Sequence, residues 1–134
     1  MKIDINQFLK PCSCGKEHKI LVDDIIIESG AINKLPEILK RERFADKKNI
    51  VMVCDENTYE VAGKQLEKLL SGIKKVVLNP ENLHANEHGV ALCEEGLTAA
   101  GEVDLMIAVG SGTVHDITRY HAYNKKIDFI SVPT

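Results

Sequence analysis

The sequence predicts a single α/β domain built on a parallel sheet with helices on its faces. Short apolar segments of strand length alternate along the chain with segments of helical spacing. Residues 50–54 and 105–109 are apolar at every position, as strands covered on both faces are. Strands separated by helices of about ten to fifteen residues form right-handed βαβ units around a parallel sheet.

The first predicted strand and helix lie at residues 25–40. Residues 25–27 are three consecutive isoleucines closed by Gly30, a β-branched run that predicts a strand. Residues 31–40 have helical spacing, and Pro36 is expected to break or restart the first turn because proline cannot donate a backbone hydrogen bond.

Further apolar segments predict the remaining strands at residues 50–54, 76–78, 105–109 and 129–132. The helix after the first of these is expected to stop at Gly72. Asn86 is expected to cap the next helix, which Gly101 closes. The last helix is expected over about residues 113–124.

Composition excludes several classes of protein. The chain has 134 residues, 44% of them hydrophobic, which is enough to bury a core. Its net charge of −3 gives no electrostatic footprint for nucleic acid or an anionic membrane. There is no apolar run of spanning length and no signal-peptide pattern. Four cysteines are too few to staple a chain of this size. We therefore expect a cytoplasmic protein with reduced thiols.

The most informative loop follows the strand at residues 105–109. The segment is Gly110-Ser111-Gly112-Thr113-Val114-His115-Asp116. Both glycines are expected to adopt positive φ and to let the backbone approach a ligand closely. The two hydroxyl groups and the N–H groups at the start of the next helix suit a pyrophosphate.

The loop is neither of the two common phosphate-binding motifs. His115 stands where the Rossmann fingerprint has its third glycine, and the loop follows a late strand instead of the first. No Gly-Lys-Ser/Thr follows, which excludes a P-loop. The alternative is a glycine-rich turn that only connects a strand to a helix. The position at the carboxyl end of a strand favours phosphate binding.

Asp55 directly follows the strand at residues 50–54. An acidic residue in this position can accept hydrogen bonds from the hydroxyl groups of an adenosine ribose. It can equally cap the helix that follows. The sequence leaves both interpretations open.

Residues 110–120 (GSGTVHDITRY) and 129–134 (FISVPT) resemble the bacterial sn-glycerol-1-phosphate dehydrogenases. These belong to the superfamily of iron-containing alcohol dehydrogenases, glycerol dehydrogenases and dehydroquinate synthases. Residues 50–63 fit the second strand and helix of the same superfamily. Most of its members have three glycines followed by Ser or Lys in the loop. Ser111 and Thr113 depart from that pattern and point towards the glycerol-1-phosphate branch.

The resemblance implies a Rossmann-like NAD(P)-binding domain at residues 25–134, the N-terminal domain of a two-domain fold, after a leader at residues 1–24. It implies that residues 112–116 hold the pyrophosphate of NAD or NADP, with Gly110 and Ser111 leading into them. Asp55 matches the position that contacts the adenosine ribose. Thr134 matches the start of a second cofactor-contacting loop.

The resemblance also implies a divalent metal (zinc, nickel or iron) in the full-length enzyme. Its ligands are an aspartate a few residues beyond Thr134 and two histidines of a helical C-terminal domain, which are absent here. His84, His88, His115 and His121 are not expected to replace them. We therefore expect no catalytic residue and no catalytic metal ligand in this chain, which alone is expected to be inactive.

The implied full-length activity is hydride transfer from NAD(P)H that reduces dihydroxyacetone phosphate to sn-glycerol 1-phosphate. Two alternatives stay open. One is a related enzyme, a glycerol or polyol dehydrogenase or a dehydroquinate synthase. The other is a nucleotide-binding module without catalysis. The sequence does not determine the preference for NADH or NADPH, or whether identical chains associate into a homo-oligomer.

Cys12, Cys14, Gly15 and His18 form a separate motif near the N-terminus. Two thiolates and an imidazole suit zinc, and glycine after a cysteine is common in metal knuckles. A spacing of Cys-x-Cys is tighter than usual, however, and no fourth ligand is evident. The stretch resembles the leader of the family's bacterial members. The sequence therefore favours a tether without a metal.

Overall fold

The computed structural model describes all 134 residues, which form two compact units, Met1–Lys34 and Leu35–Thr134. In the first unit, strand β1 (Lys2–Ile3) pairs antiparallel with strand β2 (Ile25–Ile26). The strand predicted at residues 25–27 therefore forms but does not join the parallel sheet. Its edge is hydrogen-bonded to the first residues of the chain, a pairing that hydrophobic pattern cannot reveal.

The second unit is built on a parallel sheet. Its strands are β3 (Ile50–Asp55), β4 (Lys74–Leu78), β5 (Leu105–Gly110) and β6 (Asp128–Pro133). They are all parallel, in the order β4-β3-β5-β6. Every residue of β5 is buried, as expected for a strand covered on both faces. The predicted α/β class with a parallel sheet is confirmed.

The helices are, in chain order, α1 (Leu35–Ile38), α2 (Glu56–Thr58), α3 (Lys64–Leu69), α4 (Glu87–Ala100) and α5 (Gly112–Lys125). A π-helical turn, Tyr59–Gly63, joins α2 to α3. The helix predicted over residues 31–40 is shorter. A 3₁₀ turn, Ala31–Lys34, precedes α1. The change from 3₁₀ turn to α-helix occurs next to Pro36, which has no backbone N–H to donate to the preceding turn.

Both predicted caps of α4 are confirmed. The side chain of Asn86 accepts a hydrogen bond from the N–H of Gly89, and Gly101 ends the helix with φ +85°. Midway along α4, a Cβ at Gly96 would lie 2.6 Å from Cγ1 of Val76. Glycine therefore lets α4 pack directly on β4.

One core cluster joins the sheet to α4 and α5. It contains Val51 and Val53 of β3, Cys93 and Leu97 of α4, and Ile117 of α5, each fully buried or nearly so. Alternate residues of a strand face opposite sides of a sheet, so Met52 and Cys54 face the other side. The right-handed crossover from β3 to β4 carries α3 across that side. None of the helices is both long enough and apolar enough to cross a membrane.

Candidate functional site

The edge of the sheet at the carboxyl ends of β3 and β5 is the candidate ligand site. These strands are neighbours, but the chain leaves β3 towards β4 on one side and β5 towards β6 on the other. Ligands of parallel α/β sheets bind in the crevice where the connections diverge in this way. Asp55 ends β3 and Gly110 ends β5, so the structure brings the two predicted cofactor-contacting segments to this crevice.

Only one of the two loop glycines needs its unusual backbone freedom. Gly110 has φ +155°, and a Cβ there would lie 3.0 Å from Cγ2 of Val114 and 3.3 Å from Oγ1 of Thr58. Gly112 is the first residue of α5 and has no positive φ. The prediction of positive φ at Gly112 is therefore wrong, because the helix has already begun there.

Gly112 is instead open on its outer side. A Cβ built on it would meet no heavy atom within 4 Å. Neither packing inside the chain nor backbone conformation therefore requires a glycine at this position. What its missing side chain leaves free is space beside the first turn of α5.

The N-terminus of α5 has no side-chain cap. Ser111 occupies the cap position with extended backbone, but its hydroxyl makes no capping hydrogen bond. The first N–H groups of a helix lack intrahelical acceptors, so those at the start of α5 remain available. The N-terminus of α4, by contrast, is capped by Asn86. Thr113, in the first turn of α5, is half-buried, and its side chain adds a second hydroxyl group to that of Ser111.

Two other residues of this segment that were predicted to contact the cofactor, Val114 and Asp116, can offer little to a ligand. The side chain of Val114 is fully buried in the core, so only its backbone can face a ligand. Asp116 is exposed and pairs with Arg119 over 3.4 Å, one turn further along the helix. Its carboxylate therefore lies on the outer surface of α5 and adds no donor for a phosphate.

His115 bends back over the start of its own helix. Its Nδ1 lies 2.8 Å from the carbonyl oxygen of Ser111, and because a carbonyl only accepts, Nδ1 carries the proton. Nε2 is buried without a hydrogen-bond partner. An unsatisfied buried polar atom costs about 1–3 kcal/mol, so His115 is poised to accept a hydrogen bond.

Asp55 makes the helix cap that the sequence left open. Its Oδ1 accepts a hydrogen bond from the N–H of Thr58 over 2.8 Å, and its own N–H donates to the Thr58 hydroxyl over 3.0 Å. Its Oδ2 accepts no hydrogen bond from the chain. The cap is therefore confirmed, and the ribose contact stays a prediction for which one oxygen remains available.

Thr58 also belongs to this edge, although it was not among the residues predicted from the sequence. Besides completing this reciprocal cap, it lies against Gly110 and so connects the ends of β3 and β5. The signal was present as the capping-box spacing of an acceptor residue followed three positions later by a second polar side chain.

Thr134 also lies at this edge. Its backbone N–H donates to the carbonyl oxygen of Gly110 over 3.2 Å, continuing the register in which Gly110 lies opposite Pro133. The chain after β6 therefore starts beside the glycine-rich loop. Thr134 itself is exposed.

The four cysteines fall into two groups. Burial raises the pKa of both Cys54 and Cys93 to about 12, so these thiols act as small apolar side chains. Cys12 and Cys14 are exposed. The N–H of Cys14 donates to the sulfur of Cys12 and, as the largest cause, lowers the pKa of that thiol.

Among potential metal ligands, one group converges. Ligand atoms of Cys12, Cys14 and His18 all lie within 4.8 Å of one another, and no other set of three such residues does so. His121 is used elsewhere. Its Nε2 donates to the carbonyl oxygen of Val90 over 3.0 Å, and its Nδ1 lies 3.0 Å from the carboxylate of Glu94. The edge at β3 and β5 therefore has no metal-ligand set of its own.

The family model described as iron-containing alcohol dehydrogenase matches residues 26–134. The chain belongs to this family. A glycerol-1-phosphate dehydrogenase [NAD(P)+] of Halalkalibacterium halodurans is 38% identical over 131 residues, which cover 92% of this chain and 32% of that protein. One of Bacillus velezensis is 40% identical over 125 residues, covering 86% of this chain and 30% of that protein. The chain thus spans about a third of the length of these family members.

Solved structures share the fold of this family member. An alcohol dehydrogenase of Ralstonia eutropha superimposes with a TM-score of 0.63 at 18% identity, covering 78% of this chain and 28% of that chain. Glycerol dehydrogenase of Schizosaccharomyces pombe does so with a TM-score of 0.60 at 18% identity, covering 77% of this chain and 25% of that chain. The predicted Rossmann-like fold, a parallel sheet with flanking helices, is confirmed.

Proposed function

We propose that this chain is the NAD(P)-binding part of a metal-dependent dehydrogenase that reduces dihydroxyacetone phosphate to sn-glycerol 1-phosphate. The observation that carries the binding role is the uncapped N-terminus of α5 beside the open side of Gly112. The names of the relatives support the choice of substrate and of NAD(P).

The pyrophosphate is proposed to lie on the first turn of α5. Backbone N–H groups and the positive end of the helix dipole favour a phosphate there. The missing side chain of Gly112 allows the backbone to approach the phosphate oxygens, and the hydroxyl groups of Ser111 and Thr113 add donors. This arrangement uses no basic side chain, so recognition depends on backbone geometry.

The adenosine ribose is proposed to bind at the end of β3. Oδ1 of Asp55 is occupied by the helix cap, which fixes the direction of the carboxylate. Oδ2 is available to accept hydrogen bonds from ribose hydroxyl groups. The cap and the ribose contact can therefore coexist on one side chain, each using its own oxygen.

The reaction needs more than this chain offers. In such an enzyme a divalent metal would polarise the carbonyl group of the substrate, whose carbon receives the hydride and whose oxygen takes up the negative charge. No set of metal-ligating side chains lies at the edge formed by β3 and β5, so these residues do not fit the metal. The proposed role of this chain is to bind and orient the dinucleotide, and the metal ligands are proposed to lie in a further part of a longer protein.

Calorimetric titration of the chain with NADH, NADPH and, as a control, adenosine tests the binding role. We expect saturable binding of at least one dinucleotide and much weaker binding of adenosine, which lacks the phosphates. Absence of binding, or equal binding of adenosine, would contradict the proposed phosphate site. For the substrate, the protein of the whole reading frame should oxidise NAD(P)H with dihydroxyacetone phosphate faster than with dihydroxyacetone. The reverse preference would favour a polyol dehydrogenase.

A further inference from the structure

Three metal-ligating side chains converge in the N-terminal unit, on residues that the proposed dehydrogenase function does not use. The sulfur atoms of Cys12 and Cys14 and a ring nitrogen of His18 all lie within 4.8 Å of one another. Nε2 of His18 lies 2.9 Å from the sulfur of Cys14. All three residues are exposed, so an ion can reach them from solvent.

A tight turn brings the ligands together. The N–H of Gly15 donates to the carbonyl oxygen of Cys12 over 3.1 Å, and Gly15 has φ +73° with open space where a Cβ would lie. The N–H of Cys14 points to the sulfur of Cys12 over 3.5 Å. This N–H···S bond stabilises negative charge on the sulfur, and a metal-bound thiolate carries such charge. The glycine turn lets two cysteines only two positions apart face the same point.

We propose that Cys12, Cys14 and His18 bind one zinc ion through two thiolates and Nε2 of the imidazole. Zinc bonds of about 2.3 Å to sulfur and about 2.0–2.1 Å to nitrogen place tetrahedral ligand atoms about 3.5–3.8 Å apart. The observed separations are within about 1 Å of that range. Rotation of exposed side chains suffices to close the site, and water occupies the fourth position.

The donor set selects the metal. Thiolates exclude magnesium and calcium, which take oxygen ligands, and a mixed sulfur and nitrogen set suits zinc. On binding, each thiol releases its proton to solvent while the imidazole binds in its neutral form. No electron is transferred, so the site needs no oxidant or reductant. It is separate from the catalytic metal proposed above, because it lies in the Met1–Lys34 unit and holds its own ligands.

Zinc and cobalt(II) titrations of the whole chain, kept reduced with a phosphine, test this proposal. We expect one metal per chain, with the thiolate-to-cobalt charge-transfer absorption that only sulfur ligands produce. Cys12→Ser, Cys14→Ser and His18→Ala should each weaken zinc binding at least about a hundredfold, beyond the 10–100-fold loss caused by removing an outer-shell partner. Because these residues are exposed, the variants should keep the circular dichroism spectrum of the parent chain.

Two matched controls make the result specific. His88→Ala removes an exposed histidine of α4, and Cys93→Ala removes a buried thiol. Both should keep the affinity and the cobalt spectrum of the parent chain. Absence of the charge-transfer band, or zinc binding that survives both Cys12→Ser and Cys14→Ser, would overturn the proposal. Dinucleotide binding by these variants is the separate measurement that tests the proposed function.

Discussion

The two glycines of the loop allow a paired test of the phosphate site. Gly112→Ala places a methyl group in open space at the first position of α5. Gly110→Ala places the same group 3.0 Å from Cγ2 of Val114, at a backbone φ of +155°. The same chemical change is therefore made twice in one loop, once where the chain has room and once where it does not.

The expected effects on stability have opposite signs. Alanine is favoured over glycine in a helix by about 0.5–1 kcal/mol, so Gly112→Ala should leave the free energy of unfolding unchanged or raise it by up to that amount. Gly110→Ala should lower it by about 1–3 kcal/mol, the cost of holding a side chain in a disfavoured backbone region. Urea denaturation of the chain without ligand measures both.

The effect on binding separates the two roles further. A methyl group on Gly112 occupies space beside the N–H groups that would meet the phosphate. Loss of one hydrogen bond to a charged group costs about 1.5–3 kcal/mol. The dissociation constant for NAD(P)H should therefore rise about tenfold to a hundredfold in Gly112→Ala, measured by calorimetry. Gly112→Val should weaken binding further.

One result would refute this reasoning. If Gly112→Ala binds NAD(P)H as tightly as the parent chain, the open space beside α5 does not hold the phosphate, and the loop is only a connector. A Gly112→Ala variant that unfolds as easily as Gly110→Ala would show that Gly112 has a structural role.

Further predictions concern Asp55 and the thiols. Asp55→Ser keeps a capping oxygen but removes Oδ2. This variant should retain most of the free energy of unfolding while binding the dinucleotide more weakly by about 1–3 kcal/mol. Asp55→Ala removes the cap as well and should also lose about 0.5–2 kcal/mol of stability. Equal binding by Asp55→Ser and the parent chain would leave Asp55 as a cap alone. In the metal-free chain, alkylation at neutral pH should label Cys12 and Cys14 but not Cys54 or Cys93, whose pKa of about 12 keeps them protonated. Labelling of the buried pair should begin only as the pH rises towards that value or when the chain is unfolded, and fast labelling of all four thiols at neutral pH would contradict the burial.

The second half of the chain was the more predictable from sequence. Asn86 and Gly101 cap the two ends of α4 as expected, because a cap depends on residues adjacent to the helix. Residues 25–27 were predicted correctly as extended, but their partner is β1 instead of the parallel sheet. A strand of this length carries no information about which edge it will join.

The sequence by itself determined the α/β class, the order of the elements and the loop at Gly110 and Gly112, because apolar periodicity, caps and glycines act over a few residues. Tertiary structure decided which of these residues meet. Neighbouring strands bring Asp55 and Thr58 beside Gly110, which is distant from them in sequence, and parallel pairing places Thr134 at the same edge. Tertiary structure also decided that Gly110, and not Gly112, needs positive φ. Gly112 is already the first residue of α5, whose Val114 packs in the core. The local pattern placed the start of α5 at about residue 113, and the structure shows that the helix already includes Gly112.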